Sequence, residues 1–351
     1  MFSRWYGFTE VFLKIDMIPK LTIITDPIPL GLQGFYEYCR RYARWLYRLL
    51  FVKMHISILK YGGHTAVTRS VVEGLTKLEA NFNYNPTSLS KVGDSVHVLA
   101  GARTLRQMIE LKRKGRIKKL TAGPNIVVFS TEFNSILASP EIDGLVNHCD
   151  WACESWAVDY PNLLNKCFCW PAGVDTVFWS PSQSVQRSTI LIFDKRRIEE
   201  SPDRTWPYIA FLREQGWQTE VITRITGDGK ISYTAEYYRS LLQRSALMIG
   251  FTVGSESQGI AWAEAWACDV PTLILRNTVN TYQGRTYNCS TAPFLTDATG
   301  LFFDNLNHFK TQFGFWQAHR EKFTPLAWVL RNMSDEVSAR LLYGHITGDK
   351  I

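Results

Sequence analysis

The stretch from Ala246 to Leu275 limits the fold more than any other. Ala246 to Phe251 is a short apolar run, fit for a strand buried on both faces. Gly254 and Ser255 break it, and Ser257 stands where a helix N-cap is expected. Ile260 to Ala267 is alanine-rich and favours helix, with Gly259 letting another group come close to its start. Asp269 and Pro271 stop the helix, and Thr272 to Leu275 reads as the next buried strand. A strand, turn, helix, turn and strand in so few residues is one unit of an α/β domain with a parallel sheet.

Two carboxylates carry the chemistry of this unit. Glu256 precedes the helix, and Glu264 lies roughly 7 Å along its axis from Gly259 at 1.5 Å per residue. Between them the first-turn N–H groups have no intrahelical partner and carry the positive end of the helix dipole. Such a start accepts a diphosphate. An acidic side chain on each side of it suits a ligand with hydroxyls at both ends, as in a nucleotide sugar. Two glutamates alone would equally be a solvated helix residue and a loop charge.

The surrounding residues favour the first reading. Glu256 and Glu264 have the spacing of an E-x7-E motif, and Ala267-Cys268-Asp269-Val270-Pro271 continues it, with Asp269 where glycine is usual. Upstream, Pro171-Ala172-Gly173-Val174-Asp175-Thr176-Val177-Phe178-Trp179-Ser180-Pro181 is similar to a P-N-G-V-D-x-x-x-F-x-P segment that joins two domains. In both respects the chain resembles the retaining glycosyltransferases of the GT-B fold, family-4 type. The resemblance is convincing over residues 165–275 and extends more thinly from Met54 to His345. It implies an α/β fold of two Rossmann-like domains facing a cleft, and transfer of a sugar from a nucleotide-sugar donor with retention. The acceptor would be a glycan, a lipid or a small molecule. No cofactor beyond the donor is implied, and no metal.

Residues 1–53 form an N-terminal extension. In it Leu21 to Thr25 is a candidate strand, too short for the apolar core of a secretory signal. Phe35 to Val52 mixes aromatic residues with Arg40, Arg41, Arg44 and Arg48 at helical spacing. Such a helix can lie in a membrane interface but is too short and charged to span one. It can equally pack on the catalytic domain with its arginines in water. Residues 54–175 read as the acceptor-side domain. Met54 to Leu59 is a strand, and Lys60 to His64 a glycine turn before a helix to about Leu78. The resemblance places Gly62, Gly63 and His64 at the cleft. Further strands are expected at 95–100, 118–121, 125–129, 150–155 and 167–170, with helices at 104–114 and 156–164.

Residues 176–330 read as the donor-binding domain. Ser188 to Phe193 is a strand followed at once by Asp194-Lys195-Arg196-Arg197. Cations there sit at the carboxyl end of a parallel strand, where open α/β sheets bind ligands. The family usually has Gly-Arg here and a lysine about five residues on; this chain does not. Lys195 and Arg197 alternate with Arg196 and are the candidates for the diphosphate. The donor set is then Lys195, Arg197, Ser257, Gln258, Gly259, Ile260 and Glu264, with Glu256 catalytic beside the donor sugar. The helix at 235–244 is expected to bury Tyr237 and Leu241. Residues 331–351 supply a last helix able to cross back onto the first domain.

Composition excludes little else. Hydrophobic residues at 46% and charged residues at 20% describe a globular chain, and a net charge of +7 suits anionic partners. There is no zinc-finger spacing or RNP-like run, so no nucleic acid is expected. Seven scattered cysteines point to free buried thiols in a reducing, cytoplasmic setting, with the inner membrane surface reachable through the basic helix. Two rival functions remain open: a GT-B epimerase or phosphorylase, and a non-catalytic membrane-surface protein.

Overall fold

The computed structural model describes residues 19–32, 34–36, 38–40, 42–43, 61–226, 233–252, 254–349 and 351. The expected strand at 54–59 and most of the basic helix at 35–52 lie outside them.

Two parallel sheets organise the described residues. The first is built from β1 (Leu21–Ile24), β2 (Phe82–Tyr84), β3 (Ser95–Ala100), β4 (Lys119–Asn125), β5 (Gly144–Asn147) and β6 (Cys167–Cys169). Their order is β2-β1-β3-β4-β5-β6, with every pairing parallel. Helices α1 (Gly63–Lys77), α2 (Ala102–Arg113) and α3 (Asp150–Ala157) belong to this domain. β1 and β5 are buried at every position, as strands covered on both faces must be.

β1 corrects the domain boundary expected at residue 54. It lies between β2 and β3, so the first domain takes in part of what was read as an extension. Two other strands were misplaced. β4 continues through Gly123-Pro124, where its register against β3 shifts, instead of turning there. A Cβ on Gly123 would lie 1.9 Å from the Val146 carbonyl oxygen, so this glycine admits a close neighbour in the sheet. Residues 150–155 are helical, and the strand is the four-residue run before them.

The second sheet contains β7 (Thr189–Arg197), β8 (Gln218–Thr226), β9 (Ser245–Phe251), β10 (Thr272–Leu275) and β13 (Gly300–Phe303), ordered β13-β10-β9-β7-β8 and again parallel. Its helices are α4 (Trp206–Glu214), α5 (Ala235–Arg244), α6 (Ile260–Ala267) and α7 (Leu306–Ala318). On α5 the inward residues are Ala235, Tyr238, Leu241 and Leu242; Tyr238 takes the buried place expected of Tyr237, which is exposed. An antiparallel hairpin, β11 (Val279–Tyr282) and β12 (Arg285–Asn288), stands out from the loop after β10.

The chain ends with α8 (Pro325–Asn332) and α9 (Asp335–Thr347). α9 packs on the first domain: Ala339, Leu342, Tyr343 and Ile346 share a core with Val67, Val71 and Leu75 of α1. The Arg69 guanidinium binds the Asp335 carboxylate through two nitrogens at 2.6 and 3.0 Å, and both side chains are buried. Burial disfavours the charge on Arg69, but the Asp335 carboxylate outweighs it and pushes the guanidinium pKa up.

Cys153 and Cys167 are disulfide-bonded, which corrects the expectation of free thiols throughout. α3 lies beside β6 and brings their Cα atoms to 6.0 Å. Cys149 and Cys169 remain thiols, and burial pushes each up to about 12. No described helix is long and apolar enough to cross a membrane.

Candidate active site

In both sheets the strand order reverses beside the first strand of the domain, between β1 and β3 and between β7 and β9. Open parallel sheets bind ligands outside the carboxyl ends of the strands at such a point. A cavity of about 290 Å³ lies between the domains there. The first domain contributes the start of α1 with Gly62, Gly63 and His64, together with Asn125 at the end of β4 and His148 just past β5. The second contributes Lys195, Arg224, Tyr233 and residues 256–262 with Glu264. Two helix N-termini, those of α1 and α6, therefore open on one space, and each favours an anion.

The start of α6 differs in detail from expectation. Gly259, not Ser257, is the N-cap, and it adopts the left-handed conformation at φ 64°. Its carbonyl accepts from the Trp262 and Ala263 amides at 3.0 and 3.2 Å. A Cβ here would meet Trp262 Cδ1 at 2.5 Å, so space and backbone both call for glycine. Ser257 lies too early to cap a helix that begins at Ile260, but it does line the cavity, as do Gln258 and Ile260. Gln258 has structural work as well: its amide accepts from the Ala172 N–H at 2.9 Å and donates to the Ala172 carbonyl at 3.0 Å. It thereby ties the helix start to the segment joining the domains.

The two glutamates occupy different environments. Glu256 Oε1 accepts from the Lys195 ammonium and from Thr252 Oγ1, the latter at 3.0 Å. Its own amide donates to Ser290 at 2.8 Å. Glu264 is buried with its residue only 6% exposed, which rules out a solvated helix carboxylate. Burial pushes its pKa well up; Arg69 and Arg224 pull it back down. Tyr233 beside it is also raised, by burial first and by Glu264 next.

Lys195 lines the cavity and Arg197 does not. Arg197 is exposed, and its amide donates to Glu200 Oε2 at 2.9 Å. The expected Lys195–Arg197 pair is corrected by the sheet register. Lys195 of β7 pairs with Arg224 of β8, so both side chains leave the same face of the sheet. Arg197 is past the rim. Arg224 was missed because it lies inside an unremarkable alternating strand, two residues before its end, though like Lys195 it follows shortly after apolar residues. His148 was missed because its strand had been placed too late. It is buried, and that burial lowers its pKa to about 4, keeping the imidazole neutral near pH 7. Asn125 Nδ2 is buried without a hydrogen-bond partner. At the hinge, Tyr61 donates to Asp175 Oδ2 at 2.9 Å, while Asp175 Oδ1 accepts from the Val177 and Phe178 amides.

Two Rossmann-like domains closing on such a cleft define the GT-B fold. Solved structures of that fold resemble the chain over nearly its whole length. A glycosyltransferase from Rickettsia africae ESF-5 matches at a TM-score of 0.50 and 14% identity, covering 94% of this chain and 99% of its own. Anabaena Alr3699/HepE, solved in complex with UDP-glucose, matches at 0.50 and 9% identity, covering 94% and 100%. A UDP-GlcNAc 2-epimerase from Methanocaldococcus jannaschii aligns less closely, at 0.44 and 12%. No protein-family model and no curated protein matches the sequence.

Proposed function

We propose that the protein is a glycosyltransferase that moves a sugar from a nucleotide-sugar donor to an acceptor hydroxyl with retention, in the manner of family-4 enzymes. The observation that carries the reading is the convergence, in one interdomain cavity, of two cations, two glutamates and two helix N-termini. Lys195, Arg224 and the start of α6 take the diphosphate. As the bond from the sugar to the diphosphate breaks, charge grows on the leaving group, and cations fixed beforehand stabilise it without reorganising. Glu264 takes the nucleotide ribose. Glu256 faces the donor sugar once the phosphate has drawn Lys195 away from it. Both acids lie on the donor side, so they do not act as the acid and nucleophile pair of a glycoside hydrolase. With two cations on the phosphates the reading needs no metal.

The likeness to a structure holding UDP-glucose makes UDP sugars the first donors to try. Thermal midpoints would be measured with UDP, GDP and ADP and their sugars. A ligand held by the folded state alone at about 100 times its Kd adds about 2.7 kcal/mol of stability. No shift with any of them sinks the proposal. Sugar turnover without an acceptor would favour the epimerase reading instead.

A membrane-bound acceptor has its own support. Leu32, Phe35 and Tyr36 are exposed at 90%, 61% and 65%, with Arg40 nearby in sequence. Their segment follows β1, whose carboxyl end lies at the reversal point of the first sheet. Binding to anionic but not neutral vesicles is expected; equal binding to both, or none, removes the membrane contact.

A further inference from the structure

The hairpin β11–β12 lines no part of the cavity, yet it touches both the first domain and the loop that carries Glu256. Toward the first domain, the Tyr287 ring stacks on Trp151 of α3, with centroids 5.8 Å apart and planes 21° apart. Phe129, only 6% exposed, packs edge-on with Tyr287 and at a tilt against Tyr282, and lies under the Arg285 guanidinium. Arg285 also pairs with Asp159 at 2.7 Å. That pair is partly exposed and contributes little by itself; the aromatic contacts hold the arm.

Toward the glutamate loop the same hairpin makes a dense set of polar contacts. The Tyr287 hydroxyl lies 3.1 Å from Ser255 Oγ and accepts from Asn280 Nδ2 at 2.8 Å. Asn280 Nδ2 also reaches Ser255 Oγ at 3.2 Å. Asn277, at the hairpin base, donates to the Gly254 carbonyl at 3.1 Å. Gly254 has φ 84°, and a Cβ on it would meet Asn280 Oδ1 at 2.5 Å. Ser255 is the residue before Glu256. One side chain, Tyr287, therefore has its ring on one domain and its hydroxyl on the loop that aims the glutamate.

We propose that Tyr287 is a positioning residue: it passes the docking of the first domain to the Glu256 loop, so that Glu256 is aligned when the domains are engaged. This rests on the glycosyltransferase reading for its consequence in turnover, but the mechanical coupling can be measured without any substrate. Amide hydrogen exchange reports it directly, because the Glu256 N–H is bonded to Ser290 beside the hairpin.

The informative variant is Trp151→Ala, which alters only the first domain, with Trp151→Phe as a milder partner should the alanine form fold poorly. Both are expected to speed exchange at the Glu256 amide, as is Tyr287→Phe, which keeps the ring and removes the hydroxyl. In donor turnover, Tyr287→Phe should lower kcat about 2- to 10-fold, the scale of one neutral hydrogen bond. The donor KM should stay unchanged, a split that general loosening of the fold would not give. Exchange at Glu256 unchanged in folded Trp151→Ala or Trp151→Phe protein overturns the proposal, whatever the turnover. Wild type that binds no nucleotide sugar overturns the transferase reading instead and leaves the exchange result to decide the coupling.

Discussion

The Lys195–Arg224 clamp can be tested by one substitution with an internal control. Arg224→Met keeps much of the side-chain length and removes the charge. Arg224 stands opposite Lys195 in the β7–β8 register, and neighbouring strands lie about 4.8 Å apart, a span that a diphosphate bridges. A hydrogen bond to a charged group contributes about 1.5–3 kcal/mol. Losing one should weaken nucleoside diphosphate binding about 10- to 150-fold. The same change removes a cation that lowers the Glu264 pKa, so the loss should deepen as the carboxyl rises further. Calorimetric titration at fixed pH and salt measures it, using whichever of UDP, GDP or ADP the wild type binds. The parent nucleoside, without phosphates, should bind both proteins alike. Arg197→Met is the control: an exposed side chain past the rim should shift affinity by no more than about twofold. Diphosphate affinity retained in Arg224→Met, or lost equally in Arg197→Met, would show that the strand register does not place the phosphates.

Three further outcomes follow from the same geometry. Glu264→Gln should raise the thermal midpoint above neutral pH and weaken donor binding. The folded pKa of Glu264 is raised, so its stabilising contribution is full at low pH and is lost as pH rises through the folded value; a midpoint that does not respond to pH in this sense counts against it. Asp335→Ala should cost about 3–5 kcal/mol in denaturant unfolding, because it leaves a buried guanidinium without its main partner. Glu73, 3.0 Å from Arg69, moderates that loss, and a change under about 1 kcal/mol would mean the pair is not structural. His148 is depressed from 6.5 to about 4, so it contributes stability above pH 6.5 that is lost as pH falls toward 4. At 1.36 kcal/mol per unit this is about 3 kcal/mol, and His148→Gln should flatten that part of the acid-unfolding curve.

The second domain was more legible than the first. Ala246 to Leu275 declared itself because one apolar run, one alanine-rich helix and two sets of breakers agree with each other. The helix cap did not, since Gly259 is chosen by a clash with Trp262 that only the folded chain reveals. Glu256 and Glu264 could be found by spacing. Arg224 could not, because it reaches the cavity through the β7–β8 register, which is set only when the connecting helix packs the two strands side by side. The first domain misled for a related reason. β1 was recognised as a strand, but a long segment separates it from α1, so the helix was given a nearer strand. Four residues suffice for β5, and the apolar start of α3 obscured it.

The closing helix has a practical consequence. Among the described residues the first sheet starts at Leu21, and α9, which follows the whole of the second sheet, covers α1 of the first domain. A single cut at the joining segment near residue 175 therefore cannot yield two intact halves. The upstream piece would expose Val67, Val71 and Leu75 to water, and the downstream piece would carry an orphan helix with Leu342 and Ile346 uncovered. Anyone wishing to study the halves separately would have to supply α9 in trans or graft it onto the upstream fragment.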